Sequence, residues 1–383
     1  MLNGSKVTKV AFFFENTGSW EGEKNYLNSL ISALDFYNHK NFQFLIFTSK
    51  KNYSHYKRQN FKNIKIYQSS FFTEKNILNT IRKISSRIFN IFDPIIYFFI
   101  KKYNIDIISH YIPNFYCKTV CWMPDFQHMH FPQNFDNKEL NRRDKLYNHL
   151  INRSTLLILS SNDSIKDLKK FTKKKIKFKK LNFVPRINFE NLKKINPKKN
   201  YSLKKKYFIV PNQFWKHKNH ILLINTVKIL DRKNIDFQIV LTGEKKSQKN
   251  KNVYLEFNNL LKKNNLEKYF CYLGKIAYDE LINLIYNSHA LINPSFFEGW
   301  STTVEEAKIF QKNVILSNIS VHKEQNPKNS FFFNPHSAKQ LSKIIFTVSK
   351  RKNIFVNKKK LKQMYNRNRY EFAENYINIL KKI

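Results

Sequence analysis

Short apolar runs alternate with longer segments of helical period along this sequence, and the pattern breaks off near the middle and begins again. Alternation of this kind builds βα units and parallel sheets. In the first half, Val10 to Phe14, Phe42 to Thr48, Ile105 to His110, Thr119 to Trp122, Leu156 to Ser160 and Leu181 to Val184 read as strands. Helices are expected from about Lys24 to Phe36 and Lys138 to Arg153, and Ser160-Ser-Asn-Asp163 is a helix-start signal. Residues 187–206 are rich in Lys and Asn and contain Pro197, which marks a linker. Strands then resume at Tyr207 to Val210, Phe237 to Leu241, Phe270 to Leu273, Leu291-Ile292 and Val314 to Leu316. Between and after them lie helices from Asn219 to Arg232, Tyr278 to Ser288, Thr302 to Phe310, Ala338 to Lys350, and from Lys360 onward. The expected fold class is α/β, with two Rossmann-like doubly wound domains facing across a cleft. The expected division is 1–190, a linker at 191–206, 207–355, and a C-terminal helix at 356–383 packing back toward the first domain. Ligands of such sheets bind beyond the carboxyl ends of the strands.

The chain has 383 residues, 69 of them Lys or Arg against 27 Asp or Glu, a net charge of +42. A charge of that size draws a protein to anionic membranes, nucleic acids and phosphates. The lysines are spread along the chain, however, and residues with AT-rich codons abound while Gly and Pro are scarce, so codon bias explains most of the excess. No RNA-binding aromatic motif, zinc finger or basic zipper accompanies the charge, which argues against a nucleic-acid-binding protein. The three cysteines, 117, 121 and 271, form no disulfide framework and fit a reducing cytoplasm. No secretory signal is expected at residues 7–14, and the apolar stretch 88–100 is too short to span a bilayer. With the basic segment Lys75 to Arg87 before it, that stretch suits either a membrane surface or a packed helix pair.

Only six glycines occur, so each is a candidate for a backbone shape that no other residue adopts. Gly299 stands in Pro294-Ser-Phe-Phe-Glu298-Gly-Trp300-Ser301-Thr302-Thr303-Val-Glu-Glu306, which follows a strand and opens a helix. Free N–H groups and the helix dipole favour an anion at such a start. Glu298 and Glu306 can both face one polar ligand and accept hydrogen bonds from its hydroxyls. An ordinary capped helix start fits the local pattern equally well. Between the first strand and helix of the second half lies Gln213-Phe-Trp-Lys216-His-Lys218, where a Lys suits a diphosphate and a solvated basic loop is the plainer reading. Trp122-Met-Pro-Asp125-Phe-Gln-His128 follows a first-half strand; its Asp, Gln and His suit a polyol or merely a capped turn. The loop from Asn16 through Gly18 and Trp20 to Gly22 and Glu23 follows the first strand, and Gly243 ends another.

The stretch from Glu298 to Glu306 resembles the E-x7-E motif of glycosyltransferase family 4, whose two-Rossmann fold is termed GT-B. The resemblance runs along nearly the whole chain and is most specific for residues 207–325. It implies a retaining glycosyltransferase that uses a nucleotide-diphosphate sugar as donor, with no metal and no further cofactor. Glu298 would contact the donor sugar, and Glu306 the ribose hydroxyls. Gly299, Trp300, Ser301, Thr302 and Thr303 would hold the diphosphate, with Ser301 where the family usually has Gly. Lys218 matches a phosphate-binding Lys; Gln213 replaces a partner Arg, for which Lys216 would compensate. Asp125 and the catalytic candidate His128 would face the donor sugar from the first domain, Gly22 would approach the phosphates and Gly243 the base. Glu23 replaces a second Gly and would repel a diphosphate unless it stands off or meets the acceptor. The implied acceptor is a polysaccharide or lipid-linked glycan, handled in the cytoplasm or at the inner face of the membrane. Gln213, Glu23 and Ser301 keep open a degenerate GT-B binding protein or an epimerase.

Overall fold

The computed structural model describes residues 7–14, 21–73, 77, 80, 93–111, 116–193, 200–203, 206–233, 235–245 and 252–383. Asn16, Gly18, Trp20 and the ends of the basic segment, Lys75 and Arg87, lie outside these residues.

Two wholly parallel sheets stand in series. The first has seven strands: β1 (Thr8–Phe14), β2 (Phe42–Thr48), β3 (Ile64–Gln68), β4 (Ile107–Ser109), β5 (Lys118–Met123), β6 (Leu156–Leu159) and β7 (Phe178–Lys180), in the order β3-β2-β1-β4-β5-β6-β7. The second has six: β8 (Tyr207–Val210), β9 (Gln238–Leu241), β10 (Phe270–Tyr272), β11 (Ala290–Asn293), β12 (Asn313–Ser317) and β13 (Ser330–Phe333), in the order β10-β9-β8-β11-β12-β13. Strand order reverses between β1 and β4 in one sheet and between β8 and β11 in the other. Crevices open at such switch points, and they are where α/β proteins bind ligands.

Alternation along the strands sends side chains to both faces. Val10, Phe12 and Phe14 pack with α1 (Glu21–Tyr37), while Ala11 and Phe13 pack with the helix Pro94–Tyr103. In the second sheet, Phe208 and Val210 face the helices Ile221–Asp231 and Ala338–Ser349; Tyr207 and Ile209 face Tyr278–Asn287 and α2 (Thr302–Ile309). The last helix, α3 (Lys358–Leu380), joins the two bodies. Leu361 and Tyr365 sit in the core of the second domain; Phe372, Tyr376, Ile377 and Leu380 sit in the core of the first, against α1. Each such buried side chain contributes about 1.5–3 kcal/mol, so the helix is a structural tie between domains.

The strand expected at Leu181 to Val184 lies instead at Phe178–Lys180. Leu181 N–H still donates to Leu159 O at 2.9 Å, after which the chain leaves the sheet and crosses to the second domain. The edge strands β3 and β13 were not anticipated from the sequence. Among the described residues, no helix is long and apolar enough to cross a membrane.

Candidate active site

The turns after β8 and β11 meet at the switch point of the second sheet. After β8 the chain makes a single 3-10 turn, Lys216–Lys218, ended by Asn219 in the left-handed region at φ 56°. Asn tolerates that conformation, and its amide here donates to Pro294 O at 3.1 Å and Pro335 O at 2.8 Å. Phe296 N–H donates to His217 O at 2.8 Å, so the two turns are also joined through their backbones. This geometry aims Lys218 at Glu298, with Nζ 2.8 Å from both carboxylate oxygens. Asn293, at the buried end of β11, donates to Glu298 Oε1 at 3.1 Å, and the Ser295 hydroxyl does so at 2.8 Å. Burial alone would raise the Glu298 pKa, but the charge of Lys218, that of His322 and these hydrogen bonds outweigh it and hold the group at about 2. Glu298 is therefore a fixed buried anion.

Glu306 has the opposite character. It lies inside α2, fully buried, and accepts one hydrogen bond, from the Tyr278 hydroxyl at 2.9 Å. Its Oε2 has no hydrogen-bond partner. Burial lifts its pKa to about 8, against the small opposing effect of Tyr278. Between the two carboxylates, Ser301, Thr302 and Thr303 line the cleft at the start of α2, where the first N–H groups of a helix have no acceptor within it.

The first domain closes the other side. Gly22, Asp125 and Gln127 line the same cleft as Gln213, Gly243, Lys218, Trp300 and both carboxylates, around a volume of about 330 Å³. At Gly299 the domains press together: a Cβ there would stand 2.6 Å from Asp125 Cβ and 2.7 Å from Pro124 O. Gly243, at φ 115°, lets the turn after β9 pass beneath the turn after β8, where a Cβ would meet Asn212 O at 2.7 Å. Gln127 Nε2 lies 2.8 Å from His217 Nδ1, and the His130 ring packs on Phe297 at 5.0 Å, both across the domain boundary.

Two expected site residues lie elsewhere. His128 does not face the cleft; it is buried among Phe126, Tyr147 and Phe171, with Asp144 Oδ1 3.2 Å from its Nε2. Gln127–His130 is one turn of helix, and successive side chains point about 100° apart, so turning Gln127 into the cleft turns His128 into the core. Lys216 is exposed and does not line the cleft, because the 3-10 turn points Lys218 inward instead. Glu23 also lies outside the lining. Gln127, which the sequence grouped with Asp125 and His128 as suited to a polyol, does line the cleft, while Asn293, Ser295 and Tyr278 were given no role. Of these, only Asn293 carried a usable signal, a polar residue closing an apolar strand just before a proline. No group of three or more His, Cys, Asp or Glu among the described residues could hold a metal ion.

Residues 191–371 match the family model for glycosyl transferases group 1. This region is a group 1 glycosyltransferase domain. The matched region contains every second-domain residue of the cleft, from Pro211 to Glu306. No curated protein matches the chain. Solved structures do. A glycosyltransferase from Rickettsia africae superposes with a TM-score of 0.65 at 16% identity, covering 98% of each chain. HepE from Anabaena, solved with UDP and glucose, gives 0.67 at 13% identity over 98% of this chain and 100% of its own. WaaG, a glycosyltransferase involved in lipopolysaccharide biosynthesis, gives 0.60 at 13% identity over 95% of each. The glycosyltransferase thus has the two-domain GT-B architecture of these structures from end to end.

Proposed function

We propose that this glycosyltransferase belongs to family 4 and moves a sugar from a nucleotide-diphosphate sugar to a polysaccharide or lipid-linked glycan, with retention and without a metal ion. One observation carries the reading. Lys218 is held between both oxygens of Glu298 at the mouth of α2, and Glu306 lies farther along that helix with a carboxylate oxygen still unpartnered. A cation and free helix N–H groups suit a diphosphate, and a buried open acceptor suits ribose hydroxyls. HepE was solved with UDP and glucose, which makes UDP-sugars the first donors to try.

In this reading the C1–O bond to the leaving phosphate breaks while the acceptor oxygen bonds C1 on the same face. The acceptor proton passes to a phosphate oxygen. Lys218 and the start of α2 stabilise the charge that grows on the leaving group, and Glu298 orients the sugar. Catalysis is then positioning and electrostatics. The fixed anion Glu298 also keeps Lys218 aimed into the site before donor arrives. The net charge of +42 favours work at the inner face of the membrane, beside anionic lipid.

Thermal unfolding with UDP, GDP, TDP and ADP, each with and without EDTA, tests the donor side. The expected result is stabilisation by one nucleotide, about 2.7 kcal/mol at 100 times its Kd, unchanged by EDTA and lost in Glu306→Ala. NMR of the product's anomeric proton then reads retention directly. A folded protein that none of these nucleotides stabilises would overturn the reading.

A further inference from the structure

The two walls of the cleft differ in charge in a way the overall composition conceals. The chain carries 69 Lys and Arg, yet among the described residues lining the cleft the cations are Lys218 and Lys275. Both belong to the second domain, and each meets a carboxylate there: Lys218 that of Glu298 at 2.8 Å, Lys275 that of Glu244 at 3.0 Å. Among the described residues, the first-domain wall has no cation and does have a carboxylate, Asp125. The nearby Arg143 is turned away, bonded to Glu139 at 3.1 Å and stacked over Phe135 at 4.6 Å.

What the wall offers instead is an aromatic and amide surface. Trp122 stacks on Tyr26 with ring centroids 4.2 Å apart and planes 18° apart. The Trp122 Nε1–H donates to Ser160 Oγ at 3.0 Å, and the Tyr26 hydroxyl lies 2.9 Å from His110 Nε2. The pair is held at both ends, so little is lost in ordering it when a ligand arrives. Asn25 and Gln127 add amide donors and acceptors on the same wall.

Resting on the transferase reading above, we propose that the acceptor end is an uncharged sugar ring, seated against Trp122 and bonded through its hydroxyls to Asn25 and Gln127. A uronate or a sugar phosphate would sit beside Asp125 and Glu298 with no cation among the described residues on its own side to offset them. Any phosphate of a lipid-linked acceptor then lies outside the cleft.

The test is acceptor binding by saturation-transfer NMR, with UDP bound. The probes are p-nitrophenyl glucoside, galactoside and mannoside, set against p-nitrophenyl glucuronide and glucose 6-phosphate. The expected result is at least one neutral pyranoside binding tenfold or more tighter than either anion. Trp122→Ala should weaken that pyranoside by tenfold or more with the UDP Kd within twofold, and Trp122→Phe should restore most of the loss. Asn25→Lys, at a partly exposed position, should shift the preference toward the anionic probes. A uronide or sugar phosphate that binds as tightly as its neutral counterpart overturns the proposal, and so does failure of every probe to bind while UDP binds. Failure of UDP itself to bind, with every other nucleotide failing too, overturns the donor reading instead.

Discussion

Among the described residues, the second-domain wall of the cleft holds both of its cations, each paired with a carboxylate; the first-domain wall offers rings and amides beside one carboxylate, Asp125. On the second-domain side, Glu298 takes bonds from Lys218, Asn293 and Ser295, which come from the end of β11 and the turns that follow β8 and β11. On the first-domain side, Tyr26, Trp122 and Ser160 come from three segments far apart in sequence and meet by stacking and one hydrogen bond. Charge at a fixed turn suits a ligand whose own charge changes during reaction. A rigid neutral surface suits one that must only be placed. The domains press together at Gly299, so the two chemistries share one small volume.

The largest expected effect lies on the charged side. Lys218→Ala removes the cation nearest the leaving group, and loss of one such electrostatic partner costs on the order of 10²–10³ in kcat. It also leaves Glu298 buried without its counterion, which costs about 3–5 kcal/mol of stability. Glu298→Gln should lower kcat comparably while disturbing stability less, since the amide is uncharged. Steady-state kinetics with both substrates varied, beside thermal unfolding, check this. A Lys218→Ala enzyme that changes only the acceptor KM would break the division of labour between the walls.

Next in size is the response of Glu306 to pH. Its pKa of about 8 leaves it mostly protonated at pH 7 in the free protein. Ribose hydroxyls that donate to it need the ionised form, so nucleotide affinity should rise about tenfold per pH unit and level off above about 8. Glu298, held at about 2, does not titrate in that range. Calorimetry in two buffers of different ionisation enthalpy should show nearly one proton released at pH 7, and Glu306→Gln should flatten the profile. The stability linkage has a definite sign as well. A folded pKa raised above 4.5 gives a contribution fully present below pH 4.5 and lost as pH rises toward 8.

The charged wall was legible in the sequence and the neutral one only in part, through Gly22, Asp125 and Gln127, for physical reasons. Glu298, Glu306 and Lys218 sit on strand-to-helix turns, where position in the chain nearly dictates position in space. Their spacing survives as a motif. Trp122, Tyr26 and Ser160 meet through the sheet order β1-β4-β5-β6, which no local pattern displays. His128 and Lys216 show a finer limit: His128 lies next to Gln127, and Lys216 lies between Trp215 and His217 and two residues before Lys218, all of which line the cleft. A step of one or two residues in a tight turn changes facing while leaving the sequence motif intact. The βα alternation revealed most interior strands because they are apolar on both faces. The edge strands β3 and β13, partly exposed, were not anticipated from it.

The smallest effect separates neighbours. Gln127→Ala breaks the contact with His217, a hydrogen bond worth about 1 kcal/mol. Because that bond spans the two domains, its loss should lower kcat/KM several-fold while Tm changes little. His128→Ala removes a ring packed on Phe126, Tyr147 and Phe171, and core truncations of this kind cost about 1–3 kcal/mol. It should lower Tm clearly and leave kcat/KM of the remaining folded enzyme unchanged. Two adjacent residues would thus report on two different quantities, one on closure of the cleft and one on the core behind it. The opposite pattern, activity lost in His128→Ala at unchanged Tm, would mean that the imidazole reaches the substrate. The first-domain wall would then hold an imidazole, a base able to carry positive charge, beside Asp125 and its rings and amides, and the contrast with the charged wall would fail.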